Sequence, residues 1–157
     1  MESFHFEIED VPEHIHGLDL GHITVRAPGG EITSRGRVPD QAMMLFPSIS
    51  NLLDGVAGVA SGKKGATFRF SATDSSFSIV FAHEKGGNVS LTRDRKSFGT
   101  VPARELVEAL WAGVTALLQA DGARFDRQAD ASCKAAFGDL DAAIERFARS
   151  FNLPLPR

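Results

Sequence analysis

Residues 65–118 read GATFRFSATDSSFSIVFAHEKGGNVSLTRDRKSFGTVPARELVEALWAGVTALL, and this stretch decides the fold class. Phe68 and Phe70 alternate with Thr67, Arg69 and Ser71. Phe77, Ile79 and Phe81 repeat the pattern after the turn Thr73-Asp74-Ser75-Ser76, and Val89 and Leu91 follow Gly86-Gly87-Asn88. Side chains two apart on a strand point to the same side, so these residues make one apolar face, and that face needs a cover. The helix that follows supplies it. Leu106, Val107, Leu110, Trp111, Val114, Leu117 and Leu118 form one stripe at helical spacing. Pro102 sits near the first turn, where its missing N–H costs nothing, and Gly122 is a fitting stop. A short extended stretch around Phe98 to Val101 joins the meander to this helix.

Toward the N-terminus, Phe4, Phe6 and Ile8 alternate with His5, Glu7 and Glu9, which predicts a half-buried first strand ending near Pro12. His22 to Arg26 reads as a second strand. After the turn Pro28-Gly29-Gly30, Glu31 to Val38 reads as a third, paired with the second and placing Arg35 and Arg37 on the face of Thr33. Ile49, Leu52, Leu53, Val56, Val59 and Ala60 then predict a helix that starts at Pro47 or Ser48 and ends at Gly62 and Lys63-Lys64-Gly65. Gly55 and Gly58 inside it cost roughly 1 kcal/mol each relative to Ala, and would allow close packing on the sheet. Met43-Met44-Leu45-Phe46 is too apolar for an exposed loop and suits a buried strand or a helix lead-in.

Toward the C-terminus, Cys133, Phe137, Leu140, Ile144, Phe147 and Phe151 recur as the seam of a third helix. It packs back on the second helix or on the edge of the domain, and the tail from Leu153 is extended. The expectation is a single α+β domain over 1–157, with a mainly antiparallel sheet of about six strands and three helices in the order β-β-β-α-β-β-β-α-α. One continuous sheet with helices on one side is expected, because too few apolar residues exist to cover two faces.

Composition narrows the functional classes. The apolar fraction of 43% and charged fraction of 24% are those of an ordinary globular protein. A single cysteine, Cys133, excludes an internal disulfide and favours a reducing compartment. No apolar run has the length of a membrane span, and Met1 to His5 lacks the start of a secretory signal. A cytoplasmic protein is expected. A net charge of −3 argues against a general nucleic-acid binder. The charge is uneven, with a balance of −6 over residues 1–60 and +3 over residues 61–157. Glu2, Glu7, Glu9, Asp10, Glu13 and Asp19 crowd near the start. They read either as a solvated strand face and loop or as an acidic surface that steers a basic partner.

Reactive patterns are weak. His14, His16 and His22 lie close to Glu13 and Asp19, which raises a metal site, but Pro12 and Gly17 mark a loop and favour ordinary surface histidines. Gly58 to Lys64 fails as a phosphate loop: Ala57 stands five before Gly62, Lys64 stands where Ser or Thr should bind magnesium, and the stretch closes a helix. Ser61 is not in a nucleophile elbow, since Gly58 is three residues before it. Cys133 belongs to an apolar seam, whereas a catalytic thiol needs an exposed, electropositive setting. Arg93-Asp94-Arg95-Lys96 reads as a solvated turn without the interleaved aromatics that stack bases. No catalytic residue, metal or cofactor is assigned, and a non-enzyme is expected.

The pattern Ser34-Arg35-Gly36, Pro39-Asp40-Gln41-Ala42-Met43-Met44 and Ser50-Asn51-Leu52-Leu53-Asp54-Gly55 is similar to small bacterial proteins. The turn Asp74-Ser75-Ser76-Phe77 and the helix start Glu105-Leu106 belong to the same likeness. In general shape the chain resembles the small α+β immunity proteins that neutralise toxins of bacterial competition systems. The motifs are structural, and the resemblance carries over no catalytic or binding residue.

Three functions follow as expectations. The first is a protein-binding module, most concretely an immunity protein whose Glu7, Glu9, Asp10, Glu13 and Asp19 meet a basic toxin. The second is a ligand-binding or enzymatic domain with His22, Arg35, Arg37, Asp40 and Gln41 around an apolar pocket at Met43 to Phe46. The third is a homo-oligomeric scaffold joined through the seam of the third helix.

Overall fold

The computed structural model describes residues 2–10, 13–62 and 64–156. It is α+β, with three α-helices and two antiparallel sheets of four strands each. The first sheet contains β1 (Ser3–Ile8), β2 (Leu20–Ala27), β3 (Gly30–Thr33) and β4 (Met43–Met44). β1 takes one edge of β2. The other edge is divided, with β3 against Thr24 to Ala27 and β4 against Leu20 and Gly21. α1 (Leu45–Ala60) follows without a break. The second sheet is a plain meander of β5 (Thr67–Ser71), β6 (Ser78–Glu84), β7 (Asn88–Arg93) and β8 (Lys96–Pro102). α2 (Ala103–Asp121) and α3 (Ala131–Phe151) close the chain.

Two sheets stand where one was expected, and they touch at a corner. There the Gly29 N–H donates to the Phe98 carbonyl at 2.8 Å. The reason lies in α1, whose Leu45, Phe46, Ile49, Leu52, Leu53, Val56 and Val59 are all buried. A helix this apolar needs neighbours on most of its circumference. It packs against β2, β5, β6, α2 and α3 together, so one helix serves both sheets. The inner face of the first sheet is Phe4, Phe6, Ile8, Ile23, Val25 and Ile32, and that of the second includes Phe70, Ile79, Phe81, Val89, Leu91 and Val101.

The apolar stretch at 43–46 is both of the things its composition allowed. Met43 and Met44 form β4, and Leu45 and Phe46 begin α1, two or three residues before the expected start. Pro47 therefore falls in the first helical turn, where it is tolerated. β1 ends at Ile8, while the expected boundary at Pro12 lies outside the described residues, as does Lys63 of the expected helix end. The third strand stops at Thr33, not Val38, and residues 34–42 form a loop. The stretch around Phe98 is a full fourth strand of the meander, reached through a turn in which Asp94 and Arg95 both have positive φ. Turns of this mirror type match the twist of a hairpin.

The helix-three seam faces inward. Cys133, Phe137, Leu140, Ile144 and Phe147 are buried, with Phe137 against Phe46 and Phe147 stacked on Trp111. A scaffold joined through that seam would need it free, and it is part of the core. Asp130 caps α3 by accepting the Cys133 N–H, and Asn152 ends it in the left-handed conformation.

Candidate protein interface on the first sheet

Pairing fixes which residues share the outer face of the first sheet. Ser3 pairs with Arg26 and Arg26 with Glu31; His5 pairs with Thr24 and Thr24 with Thr33; Glu7 pairs with His22. Alternation places Glu9 and Leu20 on the same face, joined by the Glu9 N–H to the Leu20 carbonyl at 2.9 Å. Arg35, just beyond β3, reaches back across β2 and its Nε donates to the Glu7 carboxylate. Thr24 and Thr33 share a hydroxyl hydrogen bond of 2.8 Å, and Arg26 pairs with Glu31 at 3.5 Å. A shallow depression of about 490 Å³ lies over this ladder, between Ser3, His5, Arg26, Glu31 and Arg35.

The electrostatics follow from these pairs. The hydrogen bond from Arg35 holds the Glu7 carboxyl below the ordinary carboxylate range, and Glu7 raises Arg35 in return. His22 is buried, with Nδ1 3.0 Å from Ser34 Oγ and Nε2 3.7 Å from Glu9 Oε2. Serine, imidazole and carboxylate in line are the parts of a nucleophilic relay. Here Ser34 is wholly buried, and its Oγ is engaged by the Ile23 N–H at 3.0 Å. Ser34 and His22 bind the strand edge together, while Glu9 Oε2, buried 3.7 Å from His22, has no hydrogen-bond partner among the described residues.

Loop 34–42 is anchored at its base by Arg93, at the end of β7. The buried Arg93 guanidinium donates from Nη2 to Gln41 Oε1 at 2.6 Å and from Nη1 to the Thr33 carbonyl at 3.3 Å, and it lies 4.5 Å from the centre of the Phe77 ring. Burial, and then the nearby charge of Arg37, lower its affinity for its proton. Gln41 also bonds Ser76, Ser75 bonds the Gln41 carbonyl, and Asp40 accepts the Ala42 N–H. From this tied base the loop presents Arg35, Arg37 and Val38, the last 99% exposed.

The five predicted acidic residues have different situations. Glu7 is committed to Arg35, Glu9 faces His22, and Asp19 accepts the His16 N–H at 2.9 Å. Asp10 and Glu13 are exposed and make no ion pair among the described residues. All five lie toward one end of β1 and β2. The segment from Glu13 to Asp19 is tied down there, with Ile15 bonded to Arg124 and Asp126, and Gly17 N–H donating to Cys133 Sγ at 3.0 Å. Beside Glu9 and Asp10 stands Leu20, 44% exposed.

The histidines do not assemble. His16 Nε2 pairs with Asp130 at 2.9 Å, His22 turns to Ser34, and His14 is exposed; among the described residues no cluster of three potential ligands is present. The expected pocket around 43–46 loses its apolar walls, because Met43, Leu45 and Phe46 are wholly buried, while Arg37 and Asp40 stand on the exposed loop. No described helix is long and apolar enough to cross a membrane. Sequence reasoning missed Leu20, Val38 and Arg93. Val38 carried a signal, since Arg37-Val38-Pro39 continues a strand pattern into a proline that a paired strand resists. Arg93 carried none, because a charged residue beside Asp94 reads as solvent-facing.

No family model, curated protein or solved structure matches the chain.

Proposed function

We propose that the chain is a non-enzymatic protein-binding module, and that its partner is a basic protein engaged at the acidic end of the first sheet. The resemblance to immunity proteins makes a toxin the most concrete partner. One observation carries the reading. Asp10 and Glu13 are exposed and make no ion pair among the described residues, and Leu20, 44% exposed, stands across from Glu9, the chain neighbour of Asp10. An apolar contact ringed by acids suits a partner with a basic rim, and opposed charges speed encounter. Glu7 serves this surface from behind by holding Arg35 in place. The test is affinity capture of the tagged protein from its native cells, washed at low and high salt. A single stoichiometric basic protein released by salt is expected; capture of an acidic partner, or of one indifferent to Asp10→Lys with Glu13→Lys, would overturn the acidic-end reading.

A further inference from the structure

A strand at the border of a sheet leaves half of its backbone N–H and C=O groups unpaired, and native chains cover or blunt such borders. Most border strands of this protein are met by other parts of the chain. In β1 the Glu9 bond to Leu20 fixes the alternation, so Phe4, Phe6 and Ile8 turn their backbone groups away from β2. They turn toward α2, whose Gly113 lies against the Phe4 carbonyl, and all three residues are buried. On β3 the Thr33 carbonyl accepts from Arg93 and Arg37. On β4 the Met44 N–H donates to the Thr73 carbonyl at 3.0 Å, and on β8 the Phe98 carbonyl accepts from Gly29.

β5 is left open. The His83 N–H donates to the Ala66 carbonyl at 2.8 Å and the Ala72 N–H to the Phe77 carbonyl at 2.9 Å, and these two bonds bracket the strand. Between them Phe68 and Phe70 take the hydrogen-bonding positions toward β6, while Thr67, Arg69 and Ser71 turn their N–H and C=O groups outward. All three residues are exposed, and among the described residues nothing bonds to those outward groups. Beneath the border runs α1, with Gly55 against Phe68. Gly58, three residues on and exposed, would have no atom within 4 Å of an added β-carbon. A glycine there costs roughly 1 kcal/mol in a helix, and no packing within the chain offsets it. The floor beside β5 is therefore clear for the side chains of an added strand.

Charge selects the occupant. Arg69, in the middle of the border, donates to Ser78 Oγ at 3.4 Å and has no carboxylate partner among the described residues. Exposed Lys64 precedes the strand and adds to the same sign. Of the nearby acids, Asp54 on α1 is held by Arg146 at 2.8 Å, and exposed Asp74 stands in the turn beyond Ser71. A second copy paired about the middle of β5 would set Arg69 against Arg69, and like charges directly across a ladder destabilise it. Its favourable pairs, Lys64 with Asp74, would fall outside the strand. We infer that β5 receives an extended segment of another protein as a fifth strand of the second sheet, with a carboxylate of that segment opposite Arg69. Backbone hydrogen bonds supply the affinity, and alternate side chains supply the specificity. This border lies apart from the acidic end of the first sheet, and its occupant has the opposite charge, so the two readings fail separately.

The experiment selects binders to the purified full chain from a displayed library of random peptides, and then follows the enriched peptide by amide hydrogen exchange. The enriched sequence is expected to alternate apolar with polar residues around a central Asp or Glu. In the free chain the amides of Thr67, Arg69 and Ser71 should exchange fast, between the protected amides of Phe68 and Phe70. Bound peptide should slow those three about tenfold or more and leave Phe68 and Phe70 unchanged. Thr67→Pro removes an outward N–H at the first residue of the strand without touching the ladder to β6. It should keep the parent's unfolding curve and weaken binding about tenfold. Arg69→Glu keeps every backbone group, and should reject the selected peptide and accept the same peptide with Lys in place of its central acid. A library that yields no such sequence, a peptide indifferent to both variants, or protection that appears away from β5 would overturn the inference. So would protection of Thr67, Arg69 and Ser71 that rises with the concentration of the chain alone, because a second copy would then be the occupant.

Discussion

The two sheets have the same strand number and the same apolar inner face, yet they differ in how they are built and in what they show to solvent. Every pairing of the second sheet joins neighbours in sequence, so short turns set its register. Its outer face is small and mostly uncharged: Thr67, Ser78, Val80, Ala82, Ser90, Thr92 and Thr100, with Arg69 and Glu84 among them. In the first sheet, one edge of β2 is shared by two separate short strands, and the break between them releases loop 34–42. Its outer face is a ladder of ion pairs with Leu20 and Val38 at the margins. An interrupted edge costs backbone pairing and creates a shaped, charged border. The second sheet is therefore the scaffold, and the first carries the surface from which function is argued.

The largest effect should come from the glycines through which a helix approaches each sheet. A β-carbon on Gly113 would lie 2.5 Å from the Phe4 carbonyl oxygen, which is backbone of β1 and cannot step aside. One on Gly55 would lie 2.0 Å from the Phe68 ring, which is half-buried and can swing. Gly113→Ala should therefore destabilise by about 1–3 kcal/mol, and Gly55→Ala by less despite its greater nominal overlap. Thermal or urea unfolding of both variants decides it. Equal losses would mean that Phe68 is as immovable as backbone and that the two sides are equally rigid.

Next in size is Arg93, which joins the sheets at the base of the loop. Arg93→Met removes the donors to Gln41 and Thr33 and should cost roughly 1–3 kcal/mol. Arg93→Lys should not restore it, because an ammonium cannot reproduce the planar fork that reaches two acceptors while lying against a ring. Hydrogen exchange should show loop 34–42 opening in both variants while the amides of β6 and β7 stay protected. Full protection of the loop would show that Ser75 and Ser76 hold it unaided.

A smaller effect belongs to the ladder. The Arg35 hydrogen bond keeps Glu7 below the ordinary glutamate value of 4.5. A carboxylate with a lower pKa in the folded chain contributes stability above the unfolded value and loses it as pH falls through the lowered one. Glu7→Gln should therefore be less stable than the parent at neutral pH by less than about 1 kcal/mol, as befits a partly exposed pair. That difference should close as the pH drops below 4.5. Urea unfolding as a function of pH reads it, and a gap that persists in acid would assign Glu7 a role other than its charge.

How far the sequence could be read follows the same division. The second sheet was legible because Phe68, Phe70, Ile79, Phe81, Val89 and Leu91 alternate locally between recognisable turns. Three meander strands and the covering helix follow from that pattern alone. Only the fourth strand was understated, since Gly99 breaks its alternation. The first sheet was half legible. Alternation gave β1 and β2, and the turn at Pro28-Gly29-Gly30 gave β3 as the partner of β2 but ran it on to Val38, whereas β4, two residues long, has no period to read. The separation into two sheets was hidden for a different reason: it depends on the full circumference of α1, whereas stripe counting asks only for one face. The acidic end was visible as composition. Its division into Glu7 and Asp19, which accept hydrogen bonds, Glu9, which faces His22, and Asp10 and Glu13, which make no ion pair among the described residues, was not, because Glu7 and Glu9 meet residues as distant in sequence as Arg35 and His22.

The smallest expected effect on stability is the one that separates the sheets most sharply in function. Ser90→Lys with Thr92→Lys on the outer face of the second sheet, and Asp10→Lys with Glu13→Lys at the end of the first, all alter partly or fully exposed side chains outside the core. Apart from the backbone cost of Lys at Asp10, which has φ 55° and is controlled with Asp10→Asn, each site should shift stability by no more than about 0.5 kcal/mol, so melting curves would hardly distinguish the charge changes. Association should. Both pairs add positive charge, and the first pair replaces no acid, so general electrostatics would slow a basic partner in either case. A specific acidic docking site predicts that Asp10 and Glu13 dominate, with slower association and a flatter salt dependence, and with faster dissociation once the partner's basic rim loses its carboxylates. Dissociation rates measured with the captured partner therefore carry the argument. If Ser90 and Thr92 alter dissociation and Asp10 and Glu13 do not, the uncharged sheet is the interface, and the assignment of scaffold and surface is reversed.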